Sequence, residues 1–361
     1  MGIGRPGSRA LLSIAAGALI LGASHPARAQ PPPGLWARPA RTAAAPAAQP
    51  SPAAPAPAAP ASVVTPITRD APDRLPATGE DDGDDGWTRG KLLSLGGLAG
   101  LYTGVGIWAY FAWYNGKPRN PGWEWNGDGA FGVNTYAGGS DKLGHFYSTH
   151  VISRATTELL RAGGWRRMPA SLIASGLCAA YFTMIEVKDA YYYEFSTGDL
   201  IADLAGAGLG VLMVNSPAVD RLLDVRVDYW PTSEYIDGFK DGDVNFVEDY
   251  SGQTYLLALH VAGVPGLTDS RWTRWGRYLD LVGGFQSLNY KPEPADPEAM
   301  ESQHLFLGVA INMQAVLDDL YGEPAQGGRT SHRVMNSIFE YVSVPYTTLR
   351  VAEADRSKAE M

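Results

Sequence analysis

The chain has 361 residues, of which 19% are charged, with a formal net charge of -9 and a single cysteine. The acidic balance, with a pI near 5.2, excludes a nucleic-acid partner, because binding phosphate needs concentrated positive charge. The lone cysteine, Cys178, excludes an intrachain disulfide, so stability has to come from packing.

Residues 1–29 read as a secretory signal peptide. Arg5 and Arg9 precede an uncharged run from Ala10 to Ala23 that is short for a membrane span, and Ala27-Arg28-Ala29 supplies the small residues of a cleavage site. No cysteine lies nearby, so lipid attachment is not expected there. Residues 30–87 are dominated by Ala and Pro and close on Glu80-Asp81-Asp82-Gly83-Asp84-Asp85, which reads as a disordered, solvated tether. The expected location is exported, periplasmic or associated with the outer membrane, with the inner membrane as the competing address.

Residues 88–215 read as a helical core. From Leu92 to Tyr114 no residue is charged, and Trp108, Tyr110, Phe111, Trp113 and Tyr114 crowd the far end as interfacial aromatics do. Gly96, Gly97, Gly100, Gly104 and Gly106 interrupt the run. Two readings stay open: a membrane helix, or a helix buried in a soluble bundle. Helices over about 141–162, 168–190 and 197–214 follow, joined by short connections that make neighbours antiparallel. Ser196-Thr197-Gly198-Asp199 opens the last with the spacing of a capping box. The expected fold class is mainly α: an antiparallel bundle of about four helices, followed by a smaller mixed α/β region over 216–361. Within that region, Tyr278 to Tyr290 and His304 to Asn312 read as paired strands, and 312–321 and 331–341 as short helices.

Ionisable residues recur inside these apolar helices in three sets: Asp141, Lys142 and His145; Glu186, Lys188 and Asp189; Asp199 and Asp203. Separations of three or four residues put each set on one helical face. The first begins one helix, the second ends the antiparallel helix after it and the third begins the next, so all three lie at one end of the bundle. Gly206 and Gly210 continue the Asp199/Asp203 stripe and let that face approach another helix. Buried carboxylates are costly unless paired, protonated or bound to a cation. Two explanations therefore compete: a structural network with Lys142 and Lys188 as counter-ions, and a site for a divalent metal or an anionic lipid headgroup. For a metal the candidate ligands are His145, Glu186, Asp189 and Asp203. Asp141 and Asp199 also have an ordinary role as helix-start residues.

The motifs Asp141-Lys142-Leu143-Gly144-His145-Phe146, Glu186-Val187-Lys188-Asp189 and Asp199-Leu200-Ile201-Ala202-Asp203-Leu204-Ala205-Gly206, in this order and spacing, resemble the YfiM-like family of uncharacterised envelope proteins. The resemblance covers roughly 139–214, and Asp249-Tyr250-Ser251-Gly252-Gln253-Thr254-Tyr255 is similar to a segment of longer relatives. A looser similarity runs to VanZ-like membrane proteins. The resemblance implies an envelope location and no established activity. The leading expectation is a binding or structural module, with membrane or lipid and an envelope protein as partners. One alternative is a metal-assisted or acid/base hydrolase acting on a lipid-linked phosphate. The other is a protein-interaction module whose polar cluster is purely structural.

Four further signals stand apart. Asp237, Asp241, Asp243 and Glu248 fall at calcium-loop positions of a twelve-residue stretch, although Phe239 occupies a position that should donate oxygen. Gly206-Ala207-Gly208-Leu209-Gly210 looks like a nucleotide fingerprint but lies within a helix, so it reads as packing. Tyr191-Tyr192-Tyr193 with Trp123 and Trp125 reads as interfacial or core packing. Finally, Arg161, Arg166 and Arg167 occupy a loop that a simple inner-membrane topology places outside, against the positive-inside rule.

Overall fold

The computed structural model describes residues 86–125, 130–241, 246–268, 270, 273–294, 296, 298–321 and 330–358. The expected signal peptide and nearly all of the expected tether lie outside these residues. Helix α1 spans Arg89–Ala109 and starts where the Thr88 hydroxyl accepts from the Lys91 amide at 3.2 Å. It runs into a single π-helical turn, Tyr110–Tyr114.

Helix α2, Ser140–Ala162, begins immediately after Gly138 and Gly139, whose φ values are 58° and 88°. Only glycine takes such angles readily, and a Cβ on Gly138 would also strike the Tyr290 ring. The Ser140 hydroxyl is 2.7 Å from that of Ser287, which ties the start of α2 to the C-terminal region. Helix α3, Arg167–Tyr192, returns antiparallel, and α4, Thr197–Asn215, returns again. The α2–α4 approach is close because Gly206 and Gly210 have no side chains. A Cβ on Gly206 would fall inside the Phe146 carbonyl, whose carbon would lie only 2.9 Å away. Helix α1 packs through Leu98 on Leu160, Ala170 and Ala174. The three sequence-derived helices after Ser140 thus fall within two residues of their expected bounds, and the core is helical as expected.

A short helix, α5 (Pro217–Leu222), leads into β1 (Leu223–Tyr229), α6 (Ser233–Asp241), β2 (Gln253–His260), β3 (Leu279–Leu288) and β4 (Ser302–Ile311). Helices α7 (Met313–Tyr321) and α8 (Thr330–Phe339) precede β5 (Leu349–Ser357). The strands form one antiparallel sheet in the order β1-β2-β3-β4-β5. The expected strand pair is β3 and β4, with Leu279 opposite Ile311 and Leu288 opposite Ser302. Sequence reading missed β1, β2 and β5.

The sheet presents α2 with Val225 and Tyr255, which pack on Tyr147 and Val151. Its other face buries Asp224, Arg226, His260 and Asp280. Arg226 donates to Asp224 and to Asp280, each at 2.7 Å, and Asn312 donates to Asp280 at 2.9 Å. This closed network satisfies most of the charge that β1 turns inward. A second tie runs from the middle of α2, where Arg154 pairs with Asp220 at 2.7 Å and with Glu340 at 2.5 Å. The helical and C-terminal regions therefore share a core.

The calcium-loop expectation needs correction. Residues 237–241 are the end of α6, so Asp237 and Asp241 sit one helical turn apart, whereas a calcium loop needs its first ligands in a turn. Glu248 closes a 3₁₀ turn, and Asp243 lies outside the described residues.

Candidate functional site

The start of α2, the end of α3 and the start of α4 meet at one end of the helical core. His145 sits at their junction. Its Nδ1 is 3.0 Å from Asp203 Oδ1 and 3.9 Å from Glu186 Oε1, while its Nε2 is 3.8 Å from Asp141 Oδ1. Asp203 and Glu186 are buried, and the His145 side chain retains 21% exposure, so the imidazole is the accessible member of the group.

Two trios of ligand atoms converge around the ring, Asp141–His145–Asp199 and His145–Glu186–Asp203, each with its atoms within 4.8 Å of one another. They differ in charge. Lys142 lies between the carboxylates of the first, 3.4 Å from Asp141 and 3.3 Å from Asp199. Among the described residues no lysine or arginine pairs with Glu186 or Asp203. One oxygen of Asp203, Oδ2, is buried without a hydrogen-bond partner among the described residues.

The surrounding contacts reassign two ordinary roles. Asp199 donates its amide to the Ser196 hydroxyl at 3.1 Å, completing half of the capping box. The reciprocal contact to the Ser196 amide comes from Glu186 Oε2, at 3.3 Å, which frees the Asp199 carboxylate to face Lys142. Asp141 accepts from the Tyr250 hydroxyl at 2.7 Å, so its carboxylate does more than favour a helix start.

Electrostatics follow from this arrangement. Burial opposes the Asp141 charge, yet His145, Lys142 and the Tyr250 hydroxyl outweigh it and hold its pKa below the ordinary value. Burial likewise opposes charge on His145, but its bond to Asp203 and the nearby Asp141 and Asp199 raise its pKa well above 6.5. Burial raises the Asp203 pKa against the pull of His145, and burial with the neighbouring Asp141 raises that of Asp199. Burial pushes Glu186 up to about 8, opposed by His145 and reinforced by Asp199. Asp189 is raised by burial to about 6, against its bond to the Tyr114 hydroxyl.

Of the predicted residues, Asp141, Lys142, His145, Glu186, Asp199 and Asp203 come together. Asp189 stands at the edge, hydrogen-bonded by Tyr114 at 2.6 Å and outside both trios, so it is removed from the candidate metal ligands. Among the described residues Lys188 pairs with no carboxylate, so the counter-ion role expected of it is corrected. Its ammonium lies 4.3 Å from the Tyr110 ring centre and 4.1 Å from that of Tyr114, a cation–π arrangement. The aromatic run packs as expected: Tyr192 lies 5.2 Å from Tyr114 and Trp123 lies 5.8 Å from Tyr191, ring centre to ring centre. Sequence reading missed Tyr114 and Tyr250 as site residues. Tyr250 lies in the Asp249–Tyr255 segment already noted for its resemblance, and that was the available signal.

The fold and site together define a helical protein with a buried histidine–carboxylate centre. Residues 127–215 match the model of a family described as "Predicted periplasmic lipoprotein (DUF2279)", well under half of the chain but all of α2, α3 and α4. That description supports an exported, periplasmic or envelope location. No curated protein and no solved structure matches the chain. The only cysteine, Cys178, is buried in α3, where it is not placed to accept a lipid.

Proposed function

We propose that the chain is an envelope protein that binds a divalent cation between His145, Glu186 and Asp203. The observation that carries this reading is the buried Asp203 Oδ2, which lacks a hydrogen-bond partner among the described residues in a trio without a lysine. An orphaned buried carboxylate oxygen is costly, and a cation beside an imidazole and a second carboxylate would satisfy it. The alternative occupant is a proton, which the raised Glu186 pKa favours in the absence of metal. Lys142 neutralises the neighbouring trio, so Asp141 and Asp199 support the centre through charge and orientation rather than by ligation.

The YfiM-like and VanZ-like likenesses belong to this proposal at the level of the three motifs and bring no reaction with them. Hydrolysis of a lipid-linked phosphate is a second use of the same centre, favoured by the partial exposure of His145. The test is thermal unfolding of the mature protein with and without millimolar manganese or zinc, beside Asp203→Asn. A cation at about 100 times its Kd stabilises a single site by about 2.7 kcal/mol, a shift the Asn variant should lose. Equal shifts in both proteins would overturn the reading, and turnover of a phosphate ester that depends on the same cation would extend it to hydrolysis.

A further inference from the structure

By length and composition, α1, α3 and α4 are long and apolar enough to cross a membrane. Their exposed sides carry no charge through their middles: from Leu92 to Tyr114, from Met168 to Ile185 and from Leu204 to Asn215 there is not one Asp, Glu, Lys or Arg. Leu93, Phe111, Leu172, Met184 and Ile201 are each more than half exposed. A helix that is apolar nearly all round, as α1 is, belongs in a core or in lipid.

All three helices pack around α2, and among the four long helices it is α2 that packs on the sheet. They form a layer on the side of α2 away from the sheet. The sheet cannot follow them into hydrocarbon. Among the described residues it is open at β5, which exposes Arg350, Glu353, Asp355 and Arg356, while the other edge, β1, is bridged at Val227 by Tyr341 and Ser343. Lipid tolerates neither unpaired strand edges nor such charges. Because the sheet lies along the middle of α2 at Tyr147 and Val151, and the C-terminal region reaches on to Arg154 through Asp220 and Glu340, helices standing upright in a bilayer would carry it to hydrocarbon depth. Helices lying flat would leave it in water.

The ends of the layer match an interface. Trp108, Phe111 and Trp113 gather at one end of α1, and Arg89, Arg166 and Arg167 at the other. In a flat orientation both groups meet headgroups, which also removes the conflict between the arginine loop and the positive-inside rule. Sheet leucines turn the same way. Directly paired residues share a face, so Leu257, Leu305 and Leu307 lie on the face that carries Val225 and Tyr255 against α2, and all three are more than half exposed.

We infer that the α1/α3/α4 layer seats the protein in the plane of a phospholipid bilayer, its apolar side in the outer hydrocarbon and its C-terminal sheet in water. The experiment uses the mature chain with vesicles of phosphatidylethanolamine and phosphatidylglycerol. A polarity-sensitive dye is attached in turn at Leu93→Cys, Leu101→Cys, Leu172→Cys and Ile201→Cys, and at Asp355→Cys as control. In-plane seating predicts a blue shift at the four helix positions, similar shallow depths by lipid-borne quenchers, and no shift at 355. Depth rising steeply from position 93 to position 101 would replace seating with spanning. A blue shift without vesicles that grows with protein concentration, with a dimer in sedimentation, would replace lipid with a second copy. The variant L93E/L172E/I201E, which changes only exposed side chains, should float with vesicles at least about tenfold less while its urea midpoint stays within the range of surface substitutions. Undiminished flotation would overturn the inference.

Discussion

Replacing Gly206 with alanine tests the placement of the centre through its backbone. Helix propensity alone predicts a gain, since alanine in a helix interior is favoured over glycine by about 1 kcal/mol. The structure predicts a loss. An added Cβ would overlap the Phe146 carbonyl and the Thr149 hydroxyl on α2, and a backbone carbonyl cannot swing away as a side chain does. Helix α4 would have to move outward, at a cost typical of overpacking, about 1–3 kcal/mol. The same movement would stretch the 3.0 Å contact between Asp203, one turn earlier, and His145. Gly208 is the control, because its Cβ would meet nothing within 4 Å. Urea unfolding should show Gly208→Ala stabilised by up to about 1 kcal/mol and Gly206→Ala destabilised, both with unchanged m values. If Gly206→Ala gains as much as Gly208→Ala, the close α2–α4 approach is wrong, and with it the geometry of the trio.

Three other perturbations separate the roles assigned above. Tyr250→Phe removes the hydroxyl held by Asp141 and should cost about 1.5–3 kcal/mol in urea unfolding, as a hydrogen bond to a charged group does. Lys188→Met should leave cation-dependent stabilisation unchanged, because its ammonium rests on tyrosine rings; loss of that stabilisation would restore Lys188 as a counter-ion. His260 provides a pH signature outside the centre. Burial opposes its charge, but Asp224 and Asp280 outweigh burial and raise its pKa above the ordinary value. A raised histidine pKa adds stability that is complete below about pH 6.5 and is lost as pH rises through the folded value. Urea midpoints measured across that window should fall more steeply for the wild type than for His260→Gln; parallel profiles would mean that folding leaves the His260 pKa unshifted.

Much of the helical core was legible because its signals are local. Three- and four-residue spacings put His145, Glu186 and Asp203 on single faces, and alternating chain direction brought those faces to one end. Lys188 shows the limit of that logic: helical spacing gives a face, but whether a side chain reaches a carboxylate or a tyrosine ring depends on α1, whose contact with α3 no spacing encodes. Tyr250 reaches Asp141 across 109 positions of sequence, and Arg154 meets Glu340 across a larger gap, so neither partner follows from a local pattern. Strand β1 alternates apolar and charged residues from Leu223 to Tyr229, a strand signal that was present and overlooked; what alternation cannot show is that Asp224 and Arg226, like Val225, are buried. The calcium stretch failed for a related reason: the apolar and charged residues of Ser233–Asp241 satisfy a helix as well as a loop, and the helix prevails.

The central claim is that His145, Glu186 and Asp203 hold a divalent cation, and metal content tests it most directly. The protein, purified in mild detergent without chelator, is measured by elemental analysis beside His145→Ala/Asp203→Ala, after exposure of both to equal divalent metal and removal of the excess. The account predicts about one equivalent of metal in the wild type and none in the double variant. Equal metal content in the two proteins, or none in either, would contradict it and leave the cluster a network of ion pairs and shared protons.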